Sequence, residues 1–217
     1  MSDSAFDNVD FDTTKAQTAT RSHCNRYYDD RAQKYAERTL PASQPPLLDA
    51  FIAGLEPGSR VLDLGCGAGR DLLTLRKAGF DCLGVDLSAQ LARIARAHTE
   101  APVLDADMRS LHFPDASFAG IVAIASLLHL SPGDQALQVD KIFGWLQPGG
   151  LFLATLKIGS GSEITTDARG FTYIEPLAWL AMLRADGFEI LRHQVTPGSD
   201  SVSSSAHDWL AVLAKKP

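Results

Sequence analysis

Apolar positions along this chain fall into short clusters separated by polar and glycine-rich breaks, and the clusters alternate between strand and helix type. Val61, Leu62 and Leu64 form a short strand-like run, and Gly65, Gly67 and Gly69 follow it at alternate positions. Residues 71–78 then read as a helix that stops at Gly79, suited to the left-handed C′ position, with Phe80 as the apolar contact beyond it. A second strand is expected over residues 82–87, after which Ser88 caps a helix with Leu91, Ile94 and Ala95 on its buried face, ending near His98. Residues 102–104 make a third strand. Residues 120–125 are almost continuously apolar, the pattern of a strand covered on both faces. Ser131, Pro132 and Asp134 supply an N-cap, a proline at N1 and an acid at N3 for a helix reaching about Leu146, and Pro148-Gly149-Gly150 separates it from a fifth strand at 151–156. Beyond that lie an apolar stretch at 171–174, a helix over 176–185 opened by Pro176, a second glycine stop at Gly187-Phe188, and strands at 189–195 and 208–213 around a Gly-, Ser- and Asp-rich loop at 196–205.

Alternating strand and helix up to residue 156, closed by a terminal strand pair, predicts an α/β fold with a mostly parallel, doubly wound sheet. The first 19 residues are polar with little periodicity and are expected to fray or lie over the domain. Residues 21–39 suit one or two short helices with Tyr28, Ala32 and Tyr35 on one face. Two readings of that face are open: aromatics packed on the core, or a lid whose tyrosines cap a ligand. Pro41, Pro45 and Pro46 separate this segment from a helix at 47–55, which divides the chain into an N-terminal extension, 1–46, and a main domain, 47–217.

Composition narrows the function. With 217 residues, 45% of them hydrophobic and 21% charged, the chain can bury a full core in one domain. A net charge of −6 disfavours a nucleic-acid groove, because binding of a phosphate backbone rests on lysine and arginine. Cys24, Cys66 and Cys82 are odd in number and have no metal-ligand spacing, so neither a disulfide framework nor a metal site is expected, and the plain reading is a reducing cytoplasm. The acidic N-terminus and the want of an apolar run near ~18 residues point to neither a signal peptide nor a membrane span. A monomer or a homodimer is expected.

The candidate chemistry gathers at the carboxyl end of the first strand. A strand, a glycine turn and a helix N-terminus expose bare backbone N–H groups to a ligand. Asp86 ends the second strand about 20 residues past the first glycine, the interval at which nucleotide-binding α/β folds place an acid on ribose hydroxyls. A carboxylate can accept from both hydroxyls of a diol, although an ordinary loop acid is the alternative. Asp107 can accept from the exocyclic amine of a base while Met108 packs on the ring; Asp105 can do the same. His129 follows the fourth strand as either a packed structural residue or a base. Lys157 and Arg169, in the loop after the fifth strand, are either cations for an anionic ligand or solvated surface charges.

Taken together with Asp63, these motifs resemble the class I S-adenosylmethionine-dependent methyltransferases. Residues 61–69, Val-Leu-Asp-Leu-Gly-Cys-Gly-Ala-Gly, are similar to that family's first motif, residues 84–87 to its second, 105–108 to its third, and 146–151 to the turn before its fifth strand. The resemblance covers residue 47 to the C-terminus. It implies a Rossmann-like seven-stranded sheet with an antiparallel last strand, and S-adenosyl-L-methionine as cofactor. It also implies cofactor contacts from Asp63, Gly65, Cys66, Gly67, Gly69, Arg70, Asp86, Leu87, Asp107, Met108 and Ala125, with His129 and Tyr28 as catalytic candidates. More narrowly, residues 27–28, 69–71, 125–129, the Lys157 loop and 170–172 are similar to a group of small bacterial methyltransferases. Ala119 departs from many members, which carry an acid there; this implies weaker loop anchoring and intact cofactor binding. The implied activity is methyl transfer to a small-molecule N, O or S nucleophile, entering under a lid made of residues 27–35 and the loop after Lys157. RNA or protein methylation, and a non-catalytic methyltransferase-like binding protein, are the alternatives. A nicotinamide dehydrogenase fits less well, since the third glycine of its fingerprint would fall at position 70, which is Arg70.

Overall fold

The computed structural model describes residues 10–11, 24–165, 169–198 and 207–217. Apart from 10–11, the polar stretch of the first 19 residues lies outside them, as does most of the 196–205 loop.

Seven strands make one sheet: β1 (Arg60–Leu64), β2 (Asp81–Asp86), β3 (Val103–Asp105), β4 (Phe118–Ile124), β5 (Leu146–Lys157), β6 (Glu189–Thr196) and β7 (Trp209–Lys215). Their order is β6-β7-β5-β4-β1-β2-β3. Pairing is parallel from β5 through β4, β1 and β2 to β3, and β7 runs antiparallel to both β5 and β6. This is the expected doubly wound α/β sheet with an antiparallel last strand. Strand order reverses between β1 and β4, so a crevice forms there, where open α/β sheets bind ligands.

Helices α1 (Cys24–Asp30), α2 (Ala32–Thr39), α3 (Leu48–Ala53), α4 (Arg70–Lys77), α5 (Ala89–Thr99), α6 (Pro132–Trp145) and α7 (Pro176–Ala185) complete the frame. Because strand side chains alternate, each central strand feeds two cores. Leu62, Ile121 and Phe152 pack with Ile142 and Leu183 of α6 and α7 on one face. Val61, Val122 and Leu153 pack with Phe51, Leu72 and Ala95 of α3, α4 and α5 on the other.

The helix ends follow the local chemistry of the sequence. After α4, Gly79 N donates to Arg76 O and Phe80 N to Leu75 O; after α7, Gly187 N donates to Arg184 O and Phe188 N to Leu183 O. Both are Schellman stops, with positive φ at the glycine. Ser88 and Ser131 cap α5 and α6 through Leu91 N and Asp134 N. The helix expected at 47–55 begins only at Leu48, because Leu47 sits at φ 67 in the left-handed region. Residues 171–174 do not form an isolated strand. Gly170–Thr172 pairs with Ser162–Ile164 as a hairpin that carries no alternating pattern, its first strand being wholly exposed.

Two features bear on the site. Alanines bring the N-terminal helices close to the main domain, with Ala32 and Ala36 packed on Ala68 and Leu91. The Pro-Gly-Gly turn is tied to the last strand, since Gly149 N donates to Lys216 O and Lys216 N to Gly150 O. The Lys216 ammonium also donates to Phe143 O at 2.7 Å and Leu146 O at 2.8 Å, a cation on the C-terminal carbonyls of α6. Replacing Lys216 with Ala is expected to lower the unfolding free energy by about 1.5–3 kcal/mol for the lost charged hydrogen bonds, read as a lower urea midpoint with an unchanged denaturant slope.

Candidate active site

The turn after β1 is held from two directions by the end of β2. Val85 O accepts from Gly65 N at 2.7 Å and Cys66 N at 2.9 Å. The Asp86 carboxylate accepts from Gly67 N at 2.8 Å through Oδ2 and from Ser88 N at 2.9 Å through Oδ1. The three glycines serve different needs. A Cβ on Gly65 would stand 2.3 Å from Ser126 Cβ, and one on Gly69 2.7 Å from Thr99 Cγ2, so these two let β1 approach the end of β4 and α4 approach α5. At Gly67 a Cβ would meet only Tyr35 Cε1, at 3.6 Å, so this residue turns bare backbone toward open space. Burial pushes the Asp86 carboxyl up to about 6, against the pull of its two backbone donors and with the help of Asp29 and Asp105.

A cleft of about 930 Å³, counted to its open mouth, lies over this turn. Gly65, Gly67, Asp86 and Leu87 form one wall; Asp107, Met108 and Arg109 a second; Ala125, Ser126, His129 and Leu130 a third; Asn25, Tyr28 and Tyr35 cover it. Asp107 is gripped by the Arg109 guanidinium, Nη2 to Oδ2 at 2.6 Å, and Arg109 Nη1 lies 3.5 Å from Asp134. Ala125 is held at φ 52 in the left-handed region, its N–H donating to Thr155 Oγ1 at 2.9 Å.

His129 sits in a one-turn 3₁₀ helix, Leu127–His129, after β4. Its Nδ1 is 2.7 Å from Gly170 O, which can only accept, so this nitrogen carries the proton. In the neutral ring Nε2 is then an acceptor, and the Tyr28 hydroxyl donates to it at 3.0 Å. Burial pushes the imidazole down to about 4; the Gly170 bond opposes this, while Arg169 and Lys157 add to it. Tyr28 meets Tyr27, Tyr35 and His129 edge-on, with centroids 5.2, 5.3 and 5.6 Å away. The same helix is fastened on the opposite wall: Asp29 Oδ1 accepts from Ser88 Oγ at 2.6 Å, and the Asn25 amide nitrogen faces Leu87 O at 3.2 Å.

Residues 61–150 match the model of the methyltransferase-domain family. The matched segment, which holds the glycine turn, Asp86 and Asp107, is similar to a methyltransferase domain. It is 33% identical over 141 residues to the ubiquinone biosynthesis O-methyltransferase of Xanthomonas axonopodis pv. citri, covering 61% of this chain and 56% of that one. It is 31% identical over 147 residues to phosphoethanolamine N-methyltransferase 3 of Arabidopsis thaliana, covering 62% of this chain and 30% of the relative. The chain thus spans between 30% and 56% of the lengths of these relatives. In fold it is similar to the 1,6-didemethyltoxoflavin-N1-methyltransferase of Burkholderia thailandensis, crystallised with 1,6-didemethyltoxoflavin and S-adenosylhomocysteine, with TM-score 0.67, 23% identity and coverage of 88% and 84% of the two chains.

Of the residues singled out from the sequence, the cleft brings together Gly65, Gly67, Asp86, Leu87, Asp107, Met108, Ala125, Tyr28 and His129. Asp105 is exposed and faces Asp86 across β2 and β3, away from the cleft lining. Four expected cofactor contacts do not line the cleft. Asp63 is buried beneath the turn, and burial, with Asp71 and Asp86 nearby, raises its carboxyl well above the usual range. The Cys66 thiol is buried in the apolar core, where burial raises it too. Gly69 serves helix packing, and the Arg70 guanidinium grips Asp71 at 2.9 and 2.7 Å. Lys157 and Arg169 are also outside the lining: Lys157 is buried with its ammonium 4.3 Å from the Phe171 ring, and Arg169 stacks on Tyr27 at 4.7 Å. Sequence reasoning missed Asn25, Asp29, Arg109 and Ser126. Asn25 and Asp29 share a helix face with Tyr28 at the i, i+3, i+4 spacing, which was legible. Among the described residues no group of three or more His, Cys, Asp or Glu is placed to hold a metal, and no helix is long and apolar enough to cross a membrane.

Two outcomes follow from the geometry of this cleft. Gly65→Ala is expected to lower thermal stability and distort the turn, because the added methyl meets Ser126 and the backbone is left-handed; calorimetric unfolding checks this. His129 is lowered from 6.5 to about 4, so in the window between these values the unfolded chain binds the proton and the folded one does not, and stability falls with acidification. Asp86, raised from 3.8 to about 6, acts with the opposite sign, its contribution being lost as pH rises through that range. Urea unfolding at about pH 7 and pH 5 is therefore expected to show a smaller acid loss in His129→Gln than in the parent, since Asp86 is common to both.

Proposed function

We propose that the protein transfers the methyl group of S-adenosyl-L-methionine to an N, O or S nucleophile of a small-molecule acceptor, working in the cytoplasm as a monomer or homodimer. The observation that carries this reading is one cleft in which the bare Gly65–Gly67 turn, Asp86 and Asp107 face the Tyr28–His129 pair. The residues fit the cofactor. Asp86 keeps carboxylate lone pairs beyond its two backbone donors for a ribose diol, and Asp107 with Met108 suits an adenine edge and face. In the lining next to the turn, Ser126 Oγ is buried with no hydrogen-bond partner among the described residues, and it suits the polar methionine end. The O- and N-methyltransferases among the relatives support a small-molecule acceptor. The buried free thiols of Cys66 and Cys82 suit a reducing compartment.

The bound cofactor supplies an activated methyl on a sulfonium centre. The chain supplies placement, which can account for roughly 7–11 kcal/mol of a barrier of this kind. The Tyr28 hydroxyl donates to His129 Nε2, and a phenol oxygen in that arrangement can accept from the N–H or O–H of the acceptor. A proton can pass along that line to Nε2. Because the His129 ring is held down at about 4, it is a weak base at neutral pH. The proton therefore leaves as the new bond forms, and a nucleophile that arrives unprotonated needs no base. The helices that cover the cleft act as the lid, excluding water during transfer.

Calorimetry is expected to show S-adenosylhomocysteine binding at about micromolar affinity, roughly −8 kcal/mol. Asp86→Ala is expected to weaken it by roughly 1.5–3 kcal/mol, the range for a hydrogen bond to a charged group. Mass detection of S-adenosylhomocysteine formed from the cofactor separates the classes. Turnover with small molecules supports the proposal; turnover only with RNA or protein overturns the acceptor class; binding with no turnover on any acceptor favours a non-catalytic protein.

A further inference from the structure

We infer that Arg109 governs how the cleft selects a 6-amino purine: its guanidinium holds the Asp107 carboxylate until the amine of the base displaces it, and then passes to Asp134. This rests on the cofactor reading above and adds to it the residue against which the base competes. Arg109 and Asp107 both line the cleft. Three N–H groups of Arg109 converge on the carboxylate, the backbone N–H and Nε on Oδ1, each at 3.0 Å, and Nη2 on Oδ2 at 2.6 Å. Nε also lies 3.2 Å from Oδ2, so the donors are spread over both oxygens. A carboxylate offers about four lone-pair sites. A purine amine that donates to Asp107 therefore meets an acceptor already engaged by a cation, and it enters by exchange rather than by addition.

A second carboxylate is in place to receive the displaced group. Arg109 Nη1 lies 3.5 Å from Asp134 Oδ2, so the guanidinium already stands between two acids. The side chain of Asp107 is 11% exposed and that of Asp134 36%, so the exchange carries the cation toward water. A cation pulled out of a largely buried pair with nothing to receive it would leave both charges uncompensated. With Asp134 in reach the cation keeps a partner, while the amine takes over at Asp107. The main chain has no part in the movement. Lys141 Nζ donates to Arg109 O at 2.6 Å and Ser110 N to Asp107 O at 2.9 Å, which fixes the backbone of the 3₁₀ turn Met108–Ser110 and leaves the rotation to the arginine stem. A base without a donor at the 6-position cannot replace the guanidinium, and Asp107 stays closed to it. For a base that has one, the bond to Asp107 is partly offset by the ion pair it breaks, so removing the arginine strengthens binding of the amine.

The test is calorimetric titration of S-adenosylhomocysteine, and of its 6-deamino analogue in which hydrogen replaces the amine, into the parent protein and its variants. The parent is expected to bind S-adenosylhomocysteine more tightly than the analogue. Arg109→Met keeps an apolar stem and removes the side-chain donors; it is expected to bind S-adenosylhomocysteine about fivefold more tightly than the parent does, and the analogue within about twofold. Asp134→Asn removes the receiving charge and is expected to bind S-adenosylhomocysteine about threefold more weakly, again with the analogue within about twofold. Arg109→Lys, whose ammonium makes no fork, is expected to fall between the parent and Arg109→Met, and it carries the test should Arg109→Met not fold. A residue that only braced the fold would weaken both ligands in every variant. Weaker binding of S-adenosylhomocysteine in the Arg109 variants, equal changes for the two ligands, or a parent indifferent to the amine overturns the inference and leaves the cofactor reading standing. Failure of the parent to bind S-adenosylhomocysteine at all defeats the cofactor reading itself, so the two failures are told apart.

Discussion

The site depends on how the end of β2 holds the turn that leaves β1. Backbone N–H groups in a turn of alternating glycines have no ladder partners of their own, and a buried unpaired amide is costly. Here Val85 O and the Asp86 carboxylate satisfy three of them, at Gly65, Cys66 and Gly67. The carboxylate that would face a ribose is therefore also the clasp that shapes the surface beside it. The geometry of the turn is carried by one side chain, and its removal from water pushes its carboxyl up to about 6.

The cover over the cleft is built on a similar economy. Helix α1 is only seven residues long, too short to be stable by itself, so its place is set by side-chain contacts. Asp29 binds the cap of α5 on the β2 side, and Tyr28 binds His129 on the β4 side. The helix thus spans the mouth between the two walls, with the alanines of α2 packed close behind it.

His129 shows how environment decides chemistry. A histidine in water is half charged near pH 6.5, but burial, with Lys157 and Arg169 close by, keeps this ring neutral and fixes its proton on Nδ1 toward Gly170. In that state Nε2 is the acceptor that orients the Tyr28 hydroxyl.

The elements and their order were legible from residues alone. Strand runs such as Val61 to Leu64, the glycine stops at Gly79 and Gly187, and the serine caps at Ser88 and Ser131 act within a few residues, and local sequence decides interactions of that range. The glycine turn, Asp86 and Asp107 were legible because the fold places the ends of parallel strands side by side whatever the side chains between them. Other features were decided only by tertiary structure. Asp105 and Asp107 are alike in sequence, and only the twist of the chain after β3 puts one at the cleft and leaves the other exposed. Lys157 and Arg169 read alike as loop cations, yet one is buried under aromatic rings and the other stacks on Tyr27 of the N-terminal helix. The Tyr28–His129 bond joins residues 101 positions apart. Contacts of that kind depend on how separate elements pack against one another, and no local pattern in the chain encodes where two distant helices will meet.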